Sequence, residues 1–330
     1  MTIKQNKFTI NLLKTWRFKS KDNNMRSNLK PGIEFAGVHF KNPVVTASGT
    51  FGFGREYNGY YDLSVLGGIC VKGLTAEPRL GNKPPRIAET PMGMLNSVGL
   101  QNPGIDAFIN DELPFLRLFD TVIIANISGN TVDEYAAMAD KLAGTGVDII
   151  EVNVSCPNVK AGGMAFGISA AGIEAVTGAV KKVATVPVMV KLSPNVTDIS
   201  SMAKAAEFSG ADAVSLINTL LGMKIDTISR KPVLFNNVGG LSGPAILPVA
   251  VRMVWQVASA VKIPVMGMGG ISTGNDAIEM ILAGASLVGV GTVCFDDPYA
   301  PVRIIKEING FMEMNSISAI NELTGKVVLN

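Results

Sequence analysis

The chain has 330 residues, 47% of them apolar, a net charge of +2 and a single histidine. That is enough apolar material for one large core or two ordinary ones, and too little positive charge for a nucleic-acid binder. The three cysteines, Cys70, Cys156 and Cys294, lie far apart with no CxxC pair, which argues against a disulfide framework or any metal or cluster site on this chain and fits a reducing cytoplasm.

Charge is concentrated at the start. Residues 1–30 hold eight Lys or Arg and one acid, Asp22, leaving the other 300 residues at net −5. A basic, poorly ordered N-terminal extension is expected there, ahead of one domain over 31–330. An arm that touches a partner or an anionic surface, or a targeting segment, stays open as an alternative. No apolar run precedes "NLLKTWRFKSK", so a secretory signal is not expected, and Met25 permits a later start. No stretch of about 18 apolar residues occurs, so no membrane span is expected. His39, in "GVHFKNP", reads as a surface or packing residue, which leaves the chain without the usual histidine base.

Eight short apolar runs then follow: 43–48, 68–73, 121–127, 148–155, 187–193, 212–218, 264–270 and 286–292. Most are apolar throughout rather than alternating, as strands covered on both faces are. Amphipathic stretches at 132–145, 170–184, 198–209, 245–261 and 274–283 separate the later ones, with Asp198 and Asn275 near helix starts. Strand–helix alternation implies parallel strands, and eight units in about 300 residues match a (β/α)8 TIM barrel. A doubly wound open sheet is the alternative. Against it, no GxGxxG follows the first strand and opens a helix.

In a barrel the chemistry sits at the C-terminal ends of the strands. Those ends read Ser48, Lys72, Asn126, Asn153 to Cys156, Lys191, Asn218, Gly269-Gly270 and Gly291-Thr292. A polar residue closing nearly every apolar run describes a rim built for a polar ligand. The glycines after the seventh and eighth runs, with "GLSGP" at 240–244, favour a phosphate site over plain tight turns. Lys72 and Lys191 favour an anionic, electron-rich ligand, although each also reads as a paired or outward-reaching lysine. Asn96, Asn153, Asn158 and Asn218 together match the alternating N–H and C=O edge of a pyrimidine, although each alone reads as a turn residue. Cys156 stands before Pro157 and a loop containing Gly162, Gly163 and Gly167. A catalytic acid/base under a mobile lid and a structural cysteine are even readings of that stretch.

The segments "ASGTFGFGREY", "MLNSVGLQNPG", "NVSCPNVKAGGMAFG", "VKLSPNVTDI", "LINTLLGMKID", "GGLSGPAILPVA", "GMGGI" and "VGVGT", in that order, resemble the dihydroorotate dehydrogenase family in its class 1B catalytic-subunit form. The resemblance runs from about residue 30 to the end of the chain. It implies an FMN-binding barrel that oxidises (S)-dihydroorotate to orotate in pyrimidine (UMP) synthesis. By resemblance, Ser48, Lys72, Gly73, Asn126, Asn153, Lys191, Ile217, Gly243, Gly269, Gly270, Gly291 and Thr292 hold FMN. Lys72, Asn96, Ser97, Val98, Gly99, Leu100, Asn153, Asn158, Asn218 and Thr219 hold the substrate. Cys156 takes the C5 proton as hydride leaves C6 for flavin N5. The resemblance further implies a homodimer within a heterotetramer, whose iron–sulfur flavoprotein subunit carries FAD and a [2Fe–2S] cluster and reduces NAD⁺. Ala161 stands where the family often has histidine, and residues 1–30 match nothing in it. Three alternatives remain: an FMN barrel acting on another dihydropyrimidine, class 1A-type use of fumarate as acceptor, and a non-catalytic barrel that serves as a binding scaffold.

Overall fold

The computed structural model describes residues 29–154 and 166–330; Cys156, Asn158 and Ala161, like residues 1–28, lie outside them. The eight apolar runs form the eight strands of a closed barrel. They are β1 (Val44–Thr46), β2 (Gly68–Cys70), β3 (Val122–Ile127), β4 (Ile149–Asn153), β5 (Val188–Lys191), β6 (Ala213–Leu216), β7 (Val265–Met268) and β8 (Leu287–Val290). Each strand pairs in parallel with the next, and β8 closes on β1 with Val288 opposite Val44 and Val290 opposite Thr46. That closure excludes the doubly wound sheet, which has two open edges. Every residue of these strands is buried, one face by the barrel interior and the other by the surrounding helices, so the runs do not alternate.

The expected helices appear as α1 (Val132–Lys141), α2 (Ala170–Val183), α3 (Ile199–Phe208), α4 (Leu247–Ala258) and α5 (Gly274–Ala283). Side chains set most of their starts. Thr131, Ser169 and Asp198 accept from the first-turn amides of α1, α2 and α3, and Thr273 with Asp276 forms a capping box on α5. Three boundaries differ from expectation by two residues or more, one of them the end of α4, which stops at Ala258 rather than 261. α1 stops at Lys141 because the turn that follows runs through Gly144 and Gly146, both at positive φ. α4 begins at Leu247 because Pro244–Ile246 form a separate tight turn after Gly243. A further helix, α6 (Ala300–Met314), has Pro301 in its first turn and buries Ile304, Ile308 and Met312 one turn apart; the sequence reading did not anticipate it.

The two ends of the barrel are finished differently. At the N-terminal end, the hairpin Ile33–Phe35/Val38–Phe40 turns two buried rings inward, Phe35 edge-on to Phe40 with centroids 6.0 Å apart. Phe40 packs so close to the start of β2 that a Cβ on Gly68 would lie 2.9 Å from its ring. His39, on the outer face of this hairpin, is exposed and sits 2.7 Å from Glu34. At the C-terminal end, the β2–β3 and β6–α4 connections each contribute two strands to one antiparallel sheet, in the order Leu220–Gly222, Gly239–Ser242, Gly93–Asn96, Ile87–Thr90. Among the described residues no helix is long and apolar enough to cross a membrane.

Candidate active site

The barrel strands present alternate side chains to the interior, so their last residues and the loops beyond them converge on one mouth. A cavity of about 1040 Å³ opens there, bounded by the strand ends on one side and the antiparallel sheet on the other. Its lining includes Ser48, Lys72, Gly73, Asn126, Asn153, Lys191, Ile217, Gly243, Gly269, Gly270, Gly291 and Thr292. It also includes Asn96, Ser97, Val98, Gly99, Leu100, Asn218 and Thr219. Thus all the described residues expected to hold cofactor or substrate line one space, whereas Val154, Gly167, Leu241 and Pro244 do not line it. Cys156 and Asn158 lie outside the described residues.

Lys191 is 4% exposed, and its Nζ donates to Ser48 Oγ at 3.1 Å. β5 and β1 stand opposite each other in the barrel, so this bond spans the mouth. Asn153 is held from behind, where its carbonyl accepts from Tyr135 Oη at 2.8 Å. Asn218 Oδ1 accepts from the Thr219 amide at 2.8 Å, and the Thr219 carbonyl accepts from Asn195 Nδ2 at 3.0 Å. Asn82 Nδ2 donates to the Ser97 carbonyl at 2.8 Å and braces the 97–100 loop from below.

Glycine is required at Gly270 by backbone conformation (φ +80°) and by space, since a Cβ there would sit 2.7 Å from the Leu247 nitrogen at the start of α4. Among the described residues, the amides of Gly270, Gly291 and Thr292 have no backbone acceptor. Three N–H donors beside one cavity form an anion-binding end.

Beneath the mouth lies a residue that the sequence reading missed. Glu151, in the middle of β4, is fully buried and accepts from Asn126 Nδ2, from Ser215 Oγ at 2.6 Å and from Cys70 Sγ at 3.1 Å. Its signal was available, since a carboxylate in the apolar run "DIIEVNVS" has to find buried partners. Burial first, and then the neighbouring Glu151, push the Cys70 thiol well above its ordinary pKa, partly offset by Lys191. The sequence reading also missed Asn82, Asn195, Ser272 and the turn at Phe235–Val238, all lining the cavity from loops.

The residues present fit a flavin mononucleotide. Two buried polar atoms in the cavity wall, Asn126 Oδ1 and Ser97 Oγ, have no hydrogen-bond partner among the described residues, and such atoms call for a ligand or water. One end offers amides for a phosphate, the centre offers amide side chains for a heterocycle, and two lysines favour negative charge. The volume is at the upper limit for a single small ligand and suits a cofactor together with a small substrate.

A family model described as dihydroorotate dehydrogenase matches residues 32–312. The chain is 59% identical over 296 residues to "Dihydroorotate dehydrogenase B (NAD(+)), catalytic subunit" of Alkaliphilus oremlandii, covering 90% of this chain and 98% of that protein. It is 52% identical over 295 residues to the protein of the same name from Geobacillus kaustophilus, covering 89% and 94%. A crystal structure of DHODH from Eimeria tenella, in complex with ferulenol, superposes with a TM-score of 0.75 at 21% identity, over 90% of this chain and 88% of that one. At that identity the likeness speaks for the shared fold.

Proposed function

The chain belongs to the dihydroorotate dehydrogenase family, and from that premise we propose that it is the FMN-dependent oxidoreductase that converts (S)-dihydroorotate to orotate in pyrimidine synthesis. The observation that carries the reading is the meeting, in one cavity at the barrel mouth, of an amide-lined anion site, a set of asparagines and two lysines. FMN, when bound, supplies the acceptor for the hydride that leaves C6 of the substrate.

The roles of the side chains follow from their chemistry. Gly243, Gly269, Gly270, Gly291 and Thr292 hold the cofactor's phosphate end through backbone approach. Ser48, Lys72, Gly73, Asn126, Asn153, Lys191 and Ile217 hold its ring. Lys191, buried and tied to Ser48, sets positive charge where negative charge develops during hydride transfer. Lys72 and the amides of Gly99 and Leu100 receive the substrate carboxylate. Asn96, Ser97, Val98, Asn153, Asn158, Asn218 and Thr219 read the pyrimidine edge. Cys156 takes the C5 proton, the thiolate becoming a thiol as the C5–C6 double bond forms. A partner subunit, an iron–sulfur flavoprotein with FAD and a [2Fe–2S] cluster, would carry the electrons onward, with NAD⁺ as final acceptor. The relatives' names, "catalytic subunit" and "NAD(+)", support a partner subunit and NAD⁺ as acceptor; a homodimer within a heterotetramer is the assembly proposed for them.

Anaerobic reduction of the purified protein tests the reading. Dihydroorotate is expected to bleach the flavin faster than dihydrouracil does. A faster reaction with dihydrouracil overturns the substrate, and a colourless protein that takes up no FMN overturns the enzyme. Reoxidation by fumarate alone, with no partner captured from the native host, would replace NAD⁺ as acceptor.

A further inference from the structure

The steps above make no use of Glu151, although it is the carboxylate sealed inside the barrel. Its side chain reaches Cys70 on β2 and Ser215 on β6, each two strands away from β4, so it points along the barrel interior just below the mouth. Its third donor is Asn126 Nδ2, from the neighbouring strand, where Asn126 stands opposite Glu151 in the ladder. A carboxylate oxygen only accepts, so the Asn126 amide turns its NH₂ toward Glu151 and its oxygen the other way. That oxygen is buried, has no partner among the described residues, and lies beside Gly73 in the cavity wall, where a Cβ on Gly73 would meet it at 2.8 Å.

We infer that Glu151 is a positioning residue that fixes the polarity of Asn126, making it an acceptor-only contact for an N–H of a bound heterocycle. The inference rests on the FMN and pyrimidine reading of the cavity, and both ligands offer such an N–H. Without Glu151 the amide is free to rotate and to present its NH₂, which repels an N–H donor. The buried carboxylate therefore selects which way round the ring binds, without touching it.

The test uses the full chain and three variants. Binding is read by FMN titration of the flavin-free protein and by orotate-induced spectral shift of the FMN-loaded protein, both well below the thermal midpoint. Glu151→Met removes the acceptor and is expected to weaken binding of FMN, whose ring Asn126 holds, about tenfold or more. Asn126→Asp faces one carboxylate with another and is expected to weaken the same ligand, with recovery at lower pH as one of the pair takes a proton. Glu151→Gln added to Asn126→Asp returns a donor–acceptor pair. One oxygen of the new carboxylate then accepts from the glutamine and the other faces the cavity, so affinity is expected to return to within a few-fold of the native chain. Loss confined to FMN assigns the contact to the flavin, and loss confined to orotate assigns it to the pyrimidine. If Glu151→Met binds both ligands as the native chain does, or if the double variant fails to recover binding for any reason, the inference is overturned. A native chain that binds neither FMN nor orotate would instead sink the functional reading.

Discussion

The two ends of the barrel are built from the same strands and carry opposite chemistry. At the N-terminal end the hairpin drives Phe35 and Phe40 into the core, both fully buried, and the packing leaves no room for a Cβ on Gly68. At the C-terminal end the interior turns polar within one or two residues of the strand ends, and two buried side-chain atoms are left without protein partners among the described residues. One end lowers the free energy of the fold, whereas the other gives up packing and hydrogen bonding to make a site. Substitutions at the two ends are therefore expected to separate, with stability lost at the hairpin end and ligand chemistry lost at the mouth. The largest effect is at the hairpin end. Phe40→Ala is expected to cost about 3–5 kcal/mol of stability while leaving FMN affinity of the folded fraction unchanged. Denaturant unfolding and FMN titration on the same preparation check it, and a loss of affinity as large as the loss of stability would erase the contrast.

At the mouth the largest effect belongs to Cys156. Cys156→Ala is expected to slow flavin reduction by dihydroorotate about 10²-fold or more, roughly 2.7 kcal/mol of transition-state stabilisation, with FMN and orotate still bound. Stopped-flow reduction at saturating substrate measures it, and unchanged kinetics would move Cys156 to a structural role.

The same contrast decides how much could be read from sequence. The barrel was legible because strands covered on both faces are largely apolar rather than alternating, and most of the eight runs carry that mark, with Glu151 and Ser215 as buried polar exceptions. The mouth was legible in part, because Ser48, Lys72, Asn126 and Lys191 each end or follow an apolar run where a loop residue alone would do. The antiparallel sheet over the mouth was not. Its strands, such as Gly93–Asn96 and Gly239–Ser242, are short, rich in glycine and brought together only by tertiary contact between two distant loops. Asn82 and Asn195 went unseen for the same reason, since each braces a loop whose path no local pattern specifies. Glu151 stands in the middle of a strand, away from the strand ends that mark the rim, although a charge within an apolar strand is the stronger physical signal.

Lys191 sharpens the comparison from the polar side. Lys191→Ala removes a buried ammonium and the bond across the mouth to Ser48, while its apolar neighbours Val188, Met189 and Val190 keep the strand in place. FMN affinity is expected to fall about tenfold or more, equivalent to about 1.4 kcal/mol, with little change in thermal midpoint once the flavin is removed. Full FMN occupancy at the native rate of reduction would show that the lysine only fills space.

The smallest effect lies in the buried thiols. Cys294 is 1% exposed, and burial, then Asp297, push its thiol from 9.0 up to about 12; the Cys70 thiol is raised as well, by burial and Glu151. Both groups bind their proton more tightly in the folded chain than in the unfolded one. Their contribution is therefore fully present below about pH 9, where both states are protonated, and is lost as pH rises toward the folded value. Across that window the unfolded chain sheds protons that the native chain keeps, so stability falls by up to about 1.4 kcal/mol per pH unit for each thiol. Urea unfolding at pH 8, 9 and 10 reads the slope. Cys294→Ala is expected to flatten it by one thiol's share while leaving FMN binding intact, because Cys294 does not line the cavity. An unchanged slope would mean that this thiol ionises as easily in the fold as outside it, and that its surroundings are wetter than the packing around Tyr57 and Tyr61 implies.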